Sequence, residues 1–430
     1  MLKSSCLKSL LVLISLVFFF GILAGPAISK VELKVAYQPY SIHNQQLEWM
    51  KKWGDQHPDV DVVPVPLSYE IYFPKVSNAL KSSKGEYDIV WHNDDWGAAW
   101  MNLMEYVDDV PNFDKVLPHL WNLCFKDTNG RSTGVPFVAT SDGLYYRKDL
   151  ISEPPKTWQE VQEVGKKLQQ EGKVKYGFVA GMKYPHDYST QLAFMWANFG
   201  DILLPPFERS NDQLEMFGWQ PFVDDIRVIE MVEYFWDQLH VHKTIPSDMI
   251  SFSRTAAQAI FMAGDAAMFG QSAILWGDLN DPAKSKVAGK VGYTGFPYGP
   301  HGNGQLSWDV SWAWGIPKNI PAENKKYAKE LIGYMLSDEV QTDMFKKTGG
   351  NPVTSTVREN LRKTDPLFNM IAEGTFAAPV QVVSAYYFPK WPQVHNIFTD
   401  YTIKAFMGKR EDIPKVMKEC SAEIKRALAE

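Results

Sequence analysis

Apolar and polar residues alternate along Val31–Tyr37, with Val31, Leu33, Val35 and Tyr37 on one face, which is the period of a half-buried strand. The spacing then changes. Leu47, Met50 and Trp53 fall on one face of a helix over Asn44–Gln56, and Pro58 ends it. Val60–Pro66 predicts a second strand, Ile71–Ser82 a second helix and Tyr87–Trp91 a third strand. A β-α-β-α-β order implies a parallel sheet with right-handed crossovers. Gly134–Ala139, a fourth strand candidate, opens a second alternating run. There Trp158–Glu171 predicts a helix started by Thr157, Tyr176–Ala180 a strand and Ser189–Asn198 a helix. Helical spacing then dominates over Val223–Leu239, Arg254–Ala263 and Ala322–Leu336, the last preceded by Pro321, where a first helical turn tolerates proline. No repeat and no low-complexity linker separates the two runs. Two α/β lobes are therefore expected, joined by ordered segments.

The first 29 residues lie outside this pattern. Lys3 and Lys8 precede an apolar run, Leu10–Leu23, broken only by Ser15 and Gly21, and small residues follow at Ala24–Gly25–Pro26–Ala27. This predicts a secretory signal peptide over 1–29, cleaved near Ala27, with an apolar core too short for a comfortable membrane span. Cys6 precedes that core and is misplaced for lipid attachment, so an exported, soluble, periplasmic product is expected. Cleavage removes two lysines and no acid and moves the net charge from −6 to −8, which argues against nucleic acid as a partner.

A chain of 430 residues exceeds one ordinary hydrophobic core, in keeping with two domains. Aromatics reach 13%, with 15 Trp; most are expected in the core and several at the walls of a site. After cleavage only Cys124 and Cys420 remain, expected as separate buried thiols, and no Cys/His spacing resembles a zinc site.

Small solutes bind outside the carboxyl ends of strands in open α/β sheets, so the residues just after each strand are the candidates. They are Gln38–Pro39–Tyr40–Ser41, Ser68–Tyr69–Glu70 and His92–Asn93–Asp94–Asp95–Trp96, the densest polar cluster in the chain. Carboxylates, amides and an indole N–H beside flat rings suit a polyhydroxylated ligand, whose hydroxyls both donate and accept and whose C–H face is apolar. Asp94 or Asp95 equally suits the N-cap of the following helix. The Gly299–Gly304 loop lacks the Lys-Ser/Thr of a phosphate loop and reads as an exposed turn.

Gly134–Val135–Pro136–Phe137, Leu144–Leu150 and Pro154–Pro155–Lys156–Thr157–Trp158 together resemble the signature of family 1 extracellular solute-binding proteins, whose relatives include the maltose-binding protein. Phe261–Met268 before the small-residue loop Gly270–Ala273 and Trp276, then Trp314–Lys318, Leu336–Ser337 and Lys347–Val353, agree in order and spacing. The resemblance implies an α/β two-lobe clamp of the type II periplasmic-binding-protein kind. Each lobe would carry a central mixed, mostly parallel sheet flanked by helices, with three interlobe crossings. It implies an N-terminal lobe of 30–141 plus 302–350 and a C-terminal lobe of 142–301 plus 351–430. It also implies ligand contacts at Tyr40, Tyr69, His92, Asn93, Asp94, Asp95, Thr140, Ser141, Asp142, Gln271, Ser272, Trp276, Trp308 and Asp309. Tyr386, Tyr387 and Trp391 follow a strand candidate, Val380–Ala385, and are placed for an aromatic wall.

The implied function is that of a monomeric substrate-binding component of an ABC importer. It takes a carbohydrate as ligand and the transporter's permease subunits as partners, without catalytic residues, metal or cofactor. Two alternatives use the same vocabulary. An exported glycoside-processing enzyme needs two carboxylates flanking a bond, but Asp94 and Asp95 are sequence neighbours and diverge. A ferric-iron-binding protein of the same fold would use adjacent tyrosines, Tyr145–Tyr146 or Tyr386–Tyr387.

Overall fold

The structure, a computed structural model, describes residues 30–93, 96–118, 120, 125–127, 129–183, 221–302, 304–305, 307–369, 371, 380–381 and 390–429. The signal peptide expected at 1–29, the helix expected at Ser189–Asn198 and Cys124 lie outside them.

Strand β1 (Val31–Tyr37) runs parallel to β2 (Val60–Pro66) from Val31↔Val60 to Tyr37↔Pro66, and parallel to β3 (Ile89–His92) at Val35↔Ile89. Strand β2 is the sheet edge, which is where Pro64 and Pro66 cost no central hydrogen bond. Helices α1 (Ser41–Asp55) and α2 (Tyr69–Lys81) make the two crossovers. Helix α1 buries Leu47, Met50 and Trp53, the stripe legible in the sequence. A short helix, α3 (Gly97–Trp100), follows β3.

Strand β4 departs from expectation. It does not stop at Ala139 but spans Val135–Arg147. Its first part pairs antiparallel with β8 (Ser307–Gly315), from Val135↔Trp314 to Asp142↔Trp308. Its second part pairs with β6 (Ala266–Ser272) from Asp142↔Ser272 to Tyr146↔Met268, and with β7 (Val291–Thr294) on its other side. The described strands form one nine-stranded sheet in the order β2-β1-β3-β8-β4-β6-β5, with β7 beside β4 and β9 (Val380–Gln381) beside β8. Parallel pairing survives between β5 (Tyr176–Val179) and β6 and between β8 and β9. The antiparallel ladders all involve β4 or β8, the strands that carry the chain between the two halves.

Helix α4 (Trp158–Gln170) starts at a complete capping box. Glu160 N–H donates to Thr157 Oγ1 at 3.2 Å, and Thr157 N–H to Glu160 Oε2 at 3.3 Å. Helix α5 (Ile226–Asp237) begins later than its apolar spacing suggested because Asp225 caps it, accepting from Arg227 N–H at 3.0 Å. Helix α6 (Arg254–Met262) leads into β6, and α7 (Trp276–Asn280) follows it. Helices α8 (Ala322–Met335) and α9 (Asp338–Thr348) return to the first half, where Trp49 Nε1 of α1 donates to Asp343 at 2.7 Å.

At 350/351, where a change of half is expected, contacts with the first half continue. Gln341, wholly buried, accepts from Val353 N–H at 2.9 Å and donates to the Phe137 carbonyl at 3.2 Å. Helix α10 (Ser355–Thr364) buries Val357 and Leu361 beside α9, and Phe368 packs on Phe345 with ring centres 5.3 Å apart. The chain therefore stays with the first half through Phe368. Beyond it, α11 (Trp391–Met407) and α12 (Ile413–Ala429) pack together and against α5 in the second half. Cys420 is buried in α12, and burial pushes its thiol up.

Candidate functional site

The two halves of the sheet meet at Asp142. Its backbone faces Trp308 of β8 on one side and Ser272 of β6 on the other, and its side chain is buried. The neighbouring register places Ser141 opposite Asp309, Thr140 opposite Val310 and Gly143 opposite Gln271. Trp308 also pairs with Gln381 of β9. Seven residues expected at the ligand site, from three distant parts of the sequence, thus share one seam. Strand alternation and lateral pairing produce this, since β4 continues through a polar stretch that local pattern ends at Ala139.

The second-half side of the seam is held rigidly. Tyr145 Oη donates to the Ser272 carbonyl at 2.8 Å, and Ser272 N–H donates to Gln271 Oε1 at 2.8 Å. Both Gln271 and Ser272 are buried. Burial raises the Tyr145 phenol well above its ordinary range, so it is a neutral hydrogen-bond donor and not a phenolate. Tyr146 points the other way along the strand, near Gly292. The pair therefore offers no shared metal position. Among the described residues, no group of three or more His, Cys, Asp or Glu side chains is placed to hold a metal ion.

On the first-half side, Tyr40 is half-buried and lies nearly parallel to Trp312 of β8, 5.9 Å between ring centres and 18° between planes. His43, three residues on, lies nearly parallel to both, at 6.1 Å from Tyr40 and 5.4 Å from Trp312. Trp91 closes this box edge-on, 4.9 Å from His43 and 5.2 Å from Trp312. His43 is wholly buried, and burial lowers its pKa to about 3 against the opposing pull of the Gln38 backbone, so the imidazole is neutral. Tyr40 follows a strand and is legible as a site residue from the sequence, whereas His43 and Trp312 are not. The available signal was the i, i+3 spacing of Tyr40 and His43 at a helix start.

Tyr69 is buried against Trp91 and Trp96, at 6.0 and 5.5 Å. His92 is wholly buried between Trp100 and Phe125, and burial lowers it to about 3 as well. That places His92 in the core behind the cluster that contains it. Asn93 is buried at the end of β3 and accepts from Trp96 N–H at 3.0 Å through its carbonyl. Trp276 is half-buried at the start of α7, with its Cβ turned toward Gly349. Asp94, Asp95, Tyr386 and Tyr387 lie outside the described residues, and Trp391 opens α11.

Residues 48–369 match the sequence pattern of the family described as bacterial extracellular solute-binding protein. The chain belongs to that family. A curated relative is the "Probable ABC transporter-binding protein" of Deinococcus radiodurans, 21% identical over 371 residues, with 82% of each chain covered. Another is the sn-glycerol-3-phosphate-binding periplasmic protein UgpB of Brucella melitensis, 23% identical over 307 residues, covering 67% of this chain and 65% of that one. Among solved structures, maltose-bound MalE3 of T. maritima superposes with a TM-score of 0.75 at 22% identity, covering 91% of this chain and 99% of that one. The solute-binding protein of Agrobacterium radiobacter K84 in complex with ribitol gives 0.77 at 21% identity, covering 93% and 99%. These likenesses establish the two-lobe α/β periplasmic-binding-protein fold. This solute-binding protein is the non-enzymatic component of an ABC transporter that binds a small solute. Among its described residues, no helix is long and apolar enough to cross a membrane.

Proposed function

We propose that this solute-binding protein captures an uncharged carbohydrate, whether a sugar, an oligosaccharide or a polyol, in the seam at Asp142. It closes its two lobes over the ligand and delivers it from the periplasm, as a soluble monomer, to the permease subunits of its transporter. The observation that carries this reading is the convergence of Thr140–Asp142, Gln271–Ser272 and Trp308–Asp309 on one sheet junction beside the Tyr40–His43–Trp312 stack. Hydroxyl, amide and carboxylate groups there match sugar hydroxyls, and a flat ring matches the apolar face of a sugar. The proposed lobes are 30–141 plus 302 to about 368, and 142–301 plus the remainder of the chain. Solved relatives that carry maltose and ribitol are consistent with the class. The glycerol-3-phosphate relatives mark the main competitor.

Closure follows from differential affinity. A ligand seated on one lobe leaves hydroxyls unpaired until the other lobe meets them, so it favours the closed state by the contacts made only there. Native mass spectrometry of the mature protein purified from its own host, followed by calorimetry with the recovered solute, tests the proposal. An intact neutral carbohydrate binding at one site per chain is expected. Recovery of a phosphorylated solute, a metal ion or a cleaved sugar would overturn it.

A further inference from the structure

Two elements that belong to different halves of the fold touch beside the seam, and they do so through glycine. Helix α7 is anchored to the second half by the turn Ala273–Leu275, itself tied to β4 by the Tyr145–Ser272 bond. The end of α9 is anchored to the first half through Trp49–Asp343 and Lys52–Glu339. Where they meet, a Cβ on Gly277 would stand 2.7 Å from the Lys347 carbonyl oxygen and 3.3 Å from Thr348 Cα. A Cβ on Gly349 would stand 2.7 Å from Trp276 Cβ, and Gly349 also has φ +77°, a conformation that favours glycine. Next to it, a Cβ on Gly350 would press on Ile42 of α1 and Val138 of β4 at 2.8 and 2.9 Å. The contact is therefore too close to admit a side chain at Gly277 or Gly349 without a shift, and Trp276 is a bulky side chain packed against it.

From this geometry we infer that the contact of Trp276 and Gly277 with Lys347–Gly349 is the fulcrum of the clamp, and that these are positioning residues which set its resting angle. The inference rests on the reading that the two lobes close around a solute. The contact lies close to β4, the strand that passes between the halves, since Gly350 meets Val138, so its lever arm about that strand is short. A side chain that forces a separation of about 1 Å at a lever arm of about 5 Å rotates a rigid lobe by about 10°, which is the scale of known domain rotations. A residue lining the ligand acts on affinity alone, whereas a fulcrum residue acts first on the empty protein. Affinity then follows, because the binding-competent fraction has changed.

The test is small-angle scattering of the mature full chain, stripped of solute by unfolding, dialysis and refolding. Wild type is compared with Gly277→Ala and Trp276→Ala, and circular dichroism confirms that each is folded. One variant adds bulk at the contact and the other removes it. Their radii of gyration are therefore expected to move in opposite directions, each by on the order of 0.5 Å from a wild-type value of roughly 21 Å. If Gly277→Ala does not fold, Trp276→Ala alone carries the same expectation of a shift. Wild-type values in the folded variants, or shifts of the same sign, would overturn the fulcrum. Trp276→Ala that weakens binding at an unchanged radius would assign Trp276 to the ligand wall instead. The clamp reading is judged separately, by whether wild type shrinks when its co-purified solute is retained. Its failure is thus distinct from failure of the fulcrum.

Discussion

Acidification should destabilise this protein well before its carboxylates titrate, because two histidines are buried neutral. His43 sits in the Tyr40–Trp91–Trp312 box and His92 between Trp100 and Phe125. Burial lowers each from an ordinary 6.5 to about 3. The unfolded chain therefore takes up protons first as pH falls below 6.5, and stability is lost from there down to about pH 3, where the folded state begins to protonate too. Between pH 7 and pH 5 each histidine costs about 2 kcal/mol, and the two together about 4 kcal/mol. That is a large share of a typical domain's net stability. Asp88, whose carboxyl is raised by burial despite bonds from Lys34 N–H and Asn324, works in the opposite sense. Variants are therefore needed to isolate the histidine contribution. Urea unfolding at pH 7, 6 and 5 should be run on wild type and on His92→Leu, which keeps a side chain of similar size. The variant should lose about 2 kcal/mol less than wild type over that range. An unchanged pH slope in His92→Leu, or a wild-type loss under about 1 kcal/mol, would refute the argument that neutral burial governs the acid limb.

Three substitutions probe the frame around the seam. Gln341→Ala removes a buried amide that joins Phe137 and Met335 carbonyls to Val353 N–H, and should cost about 3 kcal/mol in chemical unfolding. Tyr145→Phe keeps the ring but removes the phenol that donates to the Ser272 carbonyl. A loss of about 1–2 kcal/mol is expected, and thermal melting at an unchanged midpoint would contradict the geometry. Tyr40→Ala removes the half-buried member of the aromatic stack. It should weaken binding of the recovered carbohydrate about tenfold by calorimetry while leaving the unfolding free energy within about 1 kcal/mol of wild type.

Local rules made much of this fold legible. The strands Val31–Tyr37 and Val60–Pro66 stand where period-two alternation puts them, and the Thr157 capping box and Pro321 mark helix starts that chain neighbours alone determine. Those features depend on residues a few positions apart, so one sequence window contains their causes. The candidate site depends on something else. Strand β4 runs on past Ala139 because β8 and β6 supply hydrogen-bond partners from distant parts of the sequence, such as Trp308 and Ser272 opposite Asp142, and no pattern within 140–142 announces them. His92 looked like a site residue because it stands in a polar cluster, yet strand alternation turns it into an aromatic core. His43 and Trp312 carry no local signal of their stacking because their significance is mutual, as two rings 269 positions apart that only tertiary packing makes parallel. The chain after Gly349 stays in the first half for the same kind of reason. Gln341 reaches forward to Val353 and backward to Phe137, and a buried amide satisfied on both sides outweighs the local appearance of a crossing. Sequence determined which elements form; lateral pairing and buried polar satisfaction decided which of them meet.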